Sequence, residues 1–252
     1  EHGRGFDLWA HYYGNNKGME AQGDIMSRLT TLRMFCDNPA LVKMSAEMYL
    51  DASNDQGSKH ASQVVTQGLV QDNFNTPKLD AVVQYITDVL EEDPKNKVVL
   101  FSFFKNNLRL LQQETKDITR SVLFMGGMDM LDRDKSKQQF STDPNTRLFL
   151  SSDAGGYGVD LPIANYLISY DLPWSAGKLD QREARIIRLS SEFPHVNIVS
   201  FVMKGSIEER QYEMLQEKRG INKAFIDGGY DSKGSFQLNL GALSEFLRHN
   251  EV

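Results

Sequence analysis

Three side chains in the stretch "LDQREARIIR", residues 179–188, could bind a phosphate group together. Gln181, Arg185 and Arg188 are four and three residues apart, so a helix would place them on one face. The guanidinium group of arginine offers planar, permanently charged donors that match phosphate oxygens. Because surface helices commonly present a charged face to water, a solvated face is the other interpretation of this spacing.

A glycine-rich loop stands shortly before these residues. The stretch "SSDAGGYGVDL", residues 151–161, follows an apolar run and places Gly155, Gly156 and Gly158 within four positions. Glycine lets a backbone come close to a phosphate or to another strand. The third glycine of a dinucleotide fingerprint is missing, and the chain contains no Gly-Lys-Ser or Gly-Lys-Thr of a Walker A loop. The chain alone therefore cannot cradle a triphosphate in the usual way, and a methyl-donor loop and a tight connection remain open.

Composition narrows the class of protein. The chain has 252 residues, 40% hydrophobic and 25% charged, as in a globular protein of one or two compact units. Its single cysteine, Cys36, excludes an internal disulfide and a cysteine-rich zinc site and favours a reducing compartment. The five histidines are too scattered to indicate a metal site. The net charge of −6 argues against a wholesale nucleic-acid coat but allows a local basic strip.

The ends and the hydropathy of the sequence add two expectations. No apolar run approaches the ~20 residues of a membrane span, so we expect a soluble protein without a membrane partner. The sequence opens at Glu1 without an initiator methionine or a signal-like segment, so we expect a piece of a longer protein.

Two kinds of pattern divide the chain. Residues 1–70 carry helical spacing without strands, and the polar stretch 51–60 is expected to be a loop. A helix is predicted over residues 76–93, with Thr76 as its N-cap and Pro77 at its first position.

Beyond that helix, short apolar runs alternate with helical patterns. The predicted strands are "KVVLFSF", "RSVLFM", "TRLFLSS", "ANYLISYD" and "VNIVSFVM". The predicted helices are "NNLRLLQQ", "MLDRDKSKQQF", "GKLDQREARIIRLS" and "SIEERQYEMLQEKRGI". Several strands are apolar without period-two alternation, which indicates an α/β protein whose parallel sheet is covered on both faces. Ligands of such sheets bind beyond the carboxyl ends of the strands, where the glycine loop begins.

In this order, the motifs resemble those of a known family. The stretch "SSDAGGYGVDLPIANYLISYDLPWSAGKLDQREARIIR" resembles motifs V and VI of superfamily-two helicases, most closely those of the Swi/Snf-type DNA translocases. Upstream, "KVVLFSFFKNNLRLL" is similar to motif IV, and "GGMDMLDRDKSKQQFSTDP" keeps the family's spacing of Gly126, Arg133 and Phe140. "LTTLRMFCDNPAL" is similar to the helix that precedes the lobe, and "GSIEERQYEMLQEKRGINKAFIDG" to the closing helix.

The resemblance implies a fold and a division of the chain. The expected fold is α/β, a RecA-like parallel sheet with helices on both faces, preceded by a mainly helical N-terminal segment. Residues 1–70 would link from a missing first lobe, residues 71–228 would form the RecA-like helicase C-terminal lobe, and residues 229–252 would form an extension with a short helix.

The resemblance also implies a role in ATP hydrolysis. In this family two RecA-like lobes close on ATP, and the first supplies the Walker loop and the acid that binds Mg²⁺. This chain resembles only the second lobe, so ATP and Mg²⁺ would be used only with the first lobe and the isolated chain would be inactive. Arg185 and Arg188 would reach the γ-phosphate, with Arg188 favoured over Arg185 as the arginine finger and Gln181 supporting them.

Other residues are implied to connect the nucleotide to double-stranded DNA, the expected substrate. Gly156, Gly158 and Asp160 would shape the loop that links the two ligands. Contacts with the DNA phosphate backbone are implied for Ser102, Lys105, Ser151 and Ser152. The expected location is the cytoplasm of a bacterial or phage-infected cell, or the nucleus if the source is eukaryotic.

Departures from the family pattern leave alternatives open. Ala184 and Ile187 stand where the family usually has a glycine and a histidine before the two arginines, which favours a divergent phage or bacterial member. A non-catalytic lobe that binds DNA or a partner is a second possible function. A methyltransferase domain is a third, although a methyl-donor loop normally leads into a helix and Pro162 with the strand after it opposes this.

Overall fold

The computed structural model describes residues 18–51, 57–71, 76–153, 159–187 and 193–227. These residues fall into two compact units, with the boundary between Asn75 and Thr76. The first unit is helical and the second is built on a sheet. None of the helices in the described part of the chain has the length and apolarity that crossing a membrane requires.

The described part of the first unit consists of helices, as the sequence predicts. These are α1 (Gly18–Asp37), α2 (Pro39–Leu50) and α3 (Lys59–Thr66). Asn38 separates α1 from α2 and caps α2, because its Oδ1 accepts a hydrogen bond of 2.9 Å from the Ala40 N–H. Ser58 caps α3 in the same way, so this helix takes up the end of the predicted loop 51–60. Residues 52–56 of that loop lie outside the described residues.

Every strand and helix predicted for the second unit is present. In chain order they are α4 (Pro77–Glu92), β1 (Val98–Phe101), α5 (Lys105–Glu114), β2 (Arg120–Phe124), α6 (Met130–Thr142), β3 (Thr146–Ser151), β4 (Tyr166–Ser169), α7 (Ala176–Glu183), β5 (Asn197–Ser200) and α8 (Ile207–Asp227). Thr76 takes the N-cap position of α4 and Pro77 opens the helix, as predicted. The Thr76 hydroxyl bonds the Asp80 carboxylate instead of a backbone N–H.

The five strands form one parallel sheet in the order β2-β3-β1-β4-β5. β1 lies at its centre, with Val99 opposite Phe149 of β3 on one side and Leu167 of β4 on the other. The carboxyl ends of β3, β1 and β4 are therefore neighbours, and the loops that follow them leave the same edge of the sheet.

Helices cover both faces of this sheet, as the sequence predicts. Successive residues of β1 point to opposite faces, as in any strand. Val98 and Leu100 pack with α4 and α5 on one face, whereas Val99 and Phe101 pack with Phe140 of α6 on the other. Burial on both faces explains why the central strand β1 is apolar along its whole length.

Candidate functional site

Three of the predicted site residues that the structure describes lie in segments that follow strands of the sheet. Ser102 follows β1, Ser152 follows β3, and Asp160 is exposed in the segment that leads from β3 to β4. Because β1 lies between β3 and β4, these loops begin side by side. The edge can therefore bring together groups that are far apart in the sequence.

The Ser102 hydroxyl is buried and hydrogen-bonded to an aspartate that follows β4. Its Oγ donates to Oδ2 of Asp171 at 2.6 Å. The backbone N–H of Phe103 donates to the same carboxylate, at 3.0 Å to Oδ1 and 2.8 Å to Oδ2. Ser102 Oγ also accepts from the Phe104 N–H at 3.2 Å. These bonds hold the turn that leads from β1 into α5.

Ser151 and Ser152 are also buried. Ser151 Oγ donates to the Ser152 carbonyl at 3.2 Å, and Ser152 Oγ accepts from the Gly126 N–H at 3.0 Å. The second bond joins the loop after β3 to the loop after β2. The predicted DNA contacts of Ser102, Ser151 and Ser152 stay predictions, and the structure places the three hydroxyl groups inside the edge.

Lys105, in contrast, is exposed at the first position of α5. A Cβ atom placed on Gly127 would lie 3.6 Å from Nζ of Lys105, so the loop after β2 passes beside this cation. Gly127 has φ of +93°, a conformation that other residues rarely adopt. Within the described residues, no carboxylate forms an ion pair with Lys105, and its charge is available to an anion.

The helix that carries the predicted arginine fingers is shorter than the sequence predicts. α7 ends at Glu183, and the chain tightens into a turn in which the Arg185 N–H donates to the Arg182 carbonyl at 3.0 Å. Tertiary contacts impose this end: the Leu161 N–H donates to the Arg185 carbonyl at 3.0 Å, and Ile186 is fully buried in the core. Arg185 therefore lies in a turn beyond the helix. We call residues 184–187 the arginine turn.

For the two predicted site residues described on this segment, no side-chain hydrogen bond or ion pair is seen within the described part of the chain. Gln181 is exposed on α7 and Arg185 is half-buried in the arginine turn. No hydrogen bond or ion pair within the described residues engages the Arg185 guanidinium. Arg188, Gly156 and Gly158 lie outside the described residues, and their predicted roles stay predictions.

A different arginine, which the sequence analysis did not single out, is the centre of the site. Arg182 on α7 is only 3% exposed and makes two hydrogen bonds to the Asp153 carboxylate, of 2.6 Å from Nε and 2.9 Å from Nη2. Its Nη1 donates to the Asp171 carbonyl at 2.6 Å, and its Nη2 lies 3.4 Å from Oδ1 of Asp171. Burial acts to lower the pKa of Arg182, but the hydrogen bonds and charges of Asp153 and Asp171 outweigh it and raise the pKa.

The sequence carried a signal for this cluster. Asp153 and Asp171 each stand two residues beyond the end of an apolar strand, β3 and β4. Two acidic residues that leave the same edge of a parallel sheet require a cation when they are buried. The sequence does not tell whether Arg182 or Arg185 supplies it. No group of His, Cys, Asp or Glu within the described ranges could hold a metal ion.

Comparison with known families identifies the sheet unit. Residues 77–190 match the model of the helicase conserved C-terminal domain. This range begins in α4 and includes the glycine loop, α7 and the predicted arginines. It therefore covers the edge of the sheet described above.

Two curated relatives are similar over most of the chain. The chain is 31% identical over 187 residues to the DNA repair protein RAD5 of Cryptococcus neoformans, covering 73% of this chain and 15% of that protein. It is 27% identical over 235 residues to a DNA repair and recombination protein RAD54-like of Gallus gallus, covering 90% of this chain and 31% of that protein. The chain thus spans less than a third of the length of either relative.

A solved structure shows the same fold. The Sulfolobus solfataricus SWI2/SNF2 ATPase C-terminal domain superposes with a TM-score of 0.56 at 19% identity, covering 92% of this chain and 83% of that domain. Together with the helicase match, this favours the predicted RecA-like fold over a methyltransferase domain. In agreement, residues 159–165, between the glycine loop and β4, contain no helix.

Proposed function

We propose that the sheet unit, whose residues 77–190 match the helicase conserved C-terminal domain, is the second motor lobe of a Snf2-type, ATP-dependent double-stranded DNA translocase. The observation that carries this proposal is the arginine turn at the carboxyl edge of the sheet. There the Arg182 guanidinium is bonded to two aspartates. Within the described residues no hydrogen bond or ion pair engages the guanidinium of Arg185, three residues later, so it can bind a ligand.

The described residues fit one part of an ATP site. A side chain of this lobe that binds the γ-phosphate of ATP held by the other lobe must be positively charged and free of other partners. Arg185 is charged, and no contact within the described residues engages its guanidinium. Its backbone is fixed by the hydrogen bond from Leu161 and by the buried Ile186 beside it, so the side chain projects from a rigid turn. Arg188 would be the second finger and Gln181 would support the two arginines.

The described residues do not fit the remaining parts of an ATP site. No Walker A sequence is present, and within the described ranges no group of three or more His, Cys, Asp or Glu side chains could hold a metal ion. We therefore assign the phosphate cradle and the metal ligands to a first lobe of the same polypeptide. When bound there, ATP would supply the phosphoryl group and Mg²⁺ would supply positive charge. The arginines of this lobe would complete the site.

The work of this lobe in hydrolysis would be electrostatic. Arg185 and Arg188 would donate hydrogen bonds to the phosphate oxygens on which negative charge gathers during phosphoryl transfer. An arginine finger contributes roughly 10³- to 10⁵-fold in rate. The glycine loop, with Gly156, Gly158 and Asp160, would connect this end of the lobe to the DNA.

DNA contact would occur at the loops that follow β1 and β2. Lys105 offers an exposed ammonium group beside Gly127, and α5 presents its first backbone N–H groups at the same place. The buried hydroxyl groups of Ser102, Ser151 and Ser152 would act indirectly, by holding the backbone of these loops. Such contacts read the phosphate backbone and not the base sequence.

The test is steady-state ATP hydrolysis, measured with Mg²⁺, with and without duplex DNA. We expect the full-length protein to hydrolyse ATP and duplex DNA to stimulate it, and residues 1–252 alone to show negligible turnover. We expect Arg185→Ala to reduce the stimulated rate by orders of magnitude. Robust Mg²⁺-dependent turnover by residues 1–252, or an Arg185→Ala rate near wild type, would refute the proposal.

A further inference from the structure

Arg182 joins three separate segments at the carboxyl edge of the sheet. Its guanidinium donates two hydrogen bonds to the Asp153 carboxylate. Asp153 directly precedes residues 154–158 of the glycine-rich loop. The guanidinium also contacts Asp171, which follows β4, through the carbonyl and the carboxylate. The backbone carbonyl of Arg182 accepts the Arg185 N–H at 3.0 Å, so Arg182 begins the arginine turn.

Asp171 extends these contacts to the loop after β1. Its carboxylate receives the Ser102 hydroxyl at 2.6 Å and the Phe103 N–H at 2.8 Å. Lys105, the exposed cation that we assign to the DNA backbone, is two residues beyond Phe103. A continuous series of direct contacts therefore runs from the loop after β1, through Asp171 and Arg182, to Arg185.

The residues at the centre of this series of contacts are buried, and burial makes their geometry rigid. Arg182 is 3% exposed and Asp171 is fully buried. A buried ion has no water to replace a lost partner, so a shift of one member must move the others or leave a charge unpaired. The planar guanidinium fork fixes direction as well as distance, and a lysine at the same place offers only a point charge.

We propose that Arg182 is a positioning residue that couples DNA contact at the loop after β1 to the orientation of Arg185, and thereby transmits DNA stimulation to ATP hydrolysis. This inference rests on the function proposed above. Arg182 touches neither ligand and acts through Asp171 on one side and through the arginine turn on the other. Chains of packed side chains, hydrogen bonds and salt bridges can carry energetic coupling of this kind.

Arg147 offers a matched control. It is also an arginine of the sheet unit that donates to backbone carbonyl groups, those of Asn96 at 2.9 Å and Leu90 at 2.8 Å. These contacts lie at the amino end of β3, the edge opposite to the candidate site. Arg147→Lys makes the same substitution at a half-buried arginine without touching the series.

The experiment measures ATP turnover of the full-length protein without DNA and with saturating duplex DNA, for wild type, Arg182→Lys and Arg147→Lys. The KM for ATP, duplex affinity and the thermal unfolding midpoint are measured on the same samples. We expect Arg182→Lys to lower the fold stimulation by about tenfold or more, since small displacements of a catalytic group are costly. The KM for ATP and the duplex affinity should change little. Arg147→Lys should keep the wild-type fold stimulation.

Asp153→Asn is a second variant, used if Arg182→Lys does not fold. It preserves the volume of the side chain, but residue 153 then offers Arg182 one acceptor oxygen instead of two. We expect this variant to lower the fold stimulation as well. Wild-type stimulation in the folded Arg182 or Asp153 variant, or an equal loss in Arg147→Lys, would overturn the coupling role and leave the proposed function intact. Absence of DNA-stimulated hydrolysis in the wild type would instead overturn the proposed function and this inference with it.

Discussion

Lys78 and Glu208 form a buried ion pair, with Nζ 2.6 Å from Oε1 and side chains only 3% and 1% exposed. The pair joins the first turn of α4 to the first turn of α8, 130 residues apart in the chain. The Lys78 ammonium also lies 4.9 Å from the centre of the Tyr170 ring, and Oε2 of Glu208 accepts the Met203 N–H at 3.1 Å. The pair therefore anchors the closing helix α8 to the start of the sheet unit.

We expect Lys78→Met to destabilise the sheet unit by about 3–5 kcal/mol, because it leaves the Glu208 carboxylate buried without its cation. The double variant Lys78→Met/Glu208→Leu should recover part of this loss, since it removes both charges of the pair. Urea unfolding of wild type, the single variant and the double variant measures both changes. If the single variant is as stable as wild type, the buried pair does not form.

His60 makes the helical unit sensitive to pH. Partial burial, followed by the charge of Arg28, lowers the pKa of His60, and the Gln63 hydrogen bond and the charge of Asp24 offset only part of this. The unfolded chain therefore binds a proton more readily than the folded unit. The stabilisation is fully present above the unfolded pKa of about 6.5 and is lost as the pH falls toward the folded value.

We expect the free energy of unfolding to decrease between about pH 7.5 and about pH 5.5, and to decrease less in His60→Gln. Urea unfolding at both pH values measures the difference. His195→Gln replaces an exposed histidine of the sheet unit and controls for the substitution itself. An equal decrease in wild type and His60→Gln would show that His60 does not cause the pH dependence.

DNA binding by this chain should be weak, independent of sequence and strongly dependent on salt. The chain has a net charge of −6, a single lobe offers few phosphate contacts, and each contact releases counterions. We expect Lys105→Gln to reduce the slope of log affinity against log salt by about one. Fluorescence anisotropy with two unrelated duplexes over a salt series measures this.

Lys95→Gln is the matched control for this experiment. Lys95 is exposed just before β1, at the amino edge of the sheet and away from the proposed DNA contacts. Its replacement should leave the salt slope unchanged. Tight, salt-insensitive binding to one of the two duplexes, or equal effects of the two lysine variants, would contradict the assignment of Lys105.

The sequence predicts most of the fold because the physical signals are local. The strands of a parallel sheet buried on both faces are continuous apolar runs, so β1 and β3 are visible as "VVLF" and "TRLFLS". The structure shows Asn38 as the cap and Pro39 as the first residue of α2, a local arrangement that favours a helix start.

Signals that depend on tertiary contacts are not visible in this way. The sequence predicts one helix through the arginines, whereas α7 ends at Glu183, because Leu161 bonds the Arg185 carbonyl and Ile186 enters the core. Ile187, the next residue of the same turn, is 51% exposed.

In the candidate site, too, local signals are visible in the sequence, whereas tertiary contacts are not. A serine at the end of a strand can face a ligand or bond its neighbours, and the pattern is identical in both cases. Ser102 bonds Asp171 only because β1 and β4 are adjacent in the sheet. Likewise, Arg182 and Arg185 are equivalent in the sequence. The aspartates that consume Arg182 come from two other loops.

The central claim is that this lobe supplies arginines to an ATP site formed with a first lobe, and Arg188 tests it most directly. The measurement is DNA-stimulated ATP turnover of the full-length protein carrying Arg188→Ala, with nucleotide affinity and the thermal midpoint of residues 1–252 as controls. We expect turnover to fall by orders of magnitude, nucleotide affinity to change less and stability to stay within about 0.5 kcal/mol. Lysine should not rescue turnover, because it lacks the planar fork. Turnover near wild type, or unfolding of the variant chain, would contradict the claim and assign Arg188 to a structural ion pair.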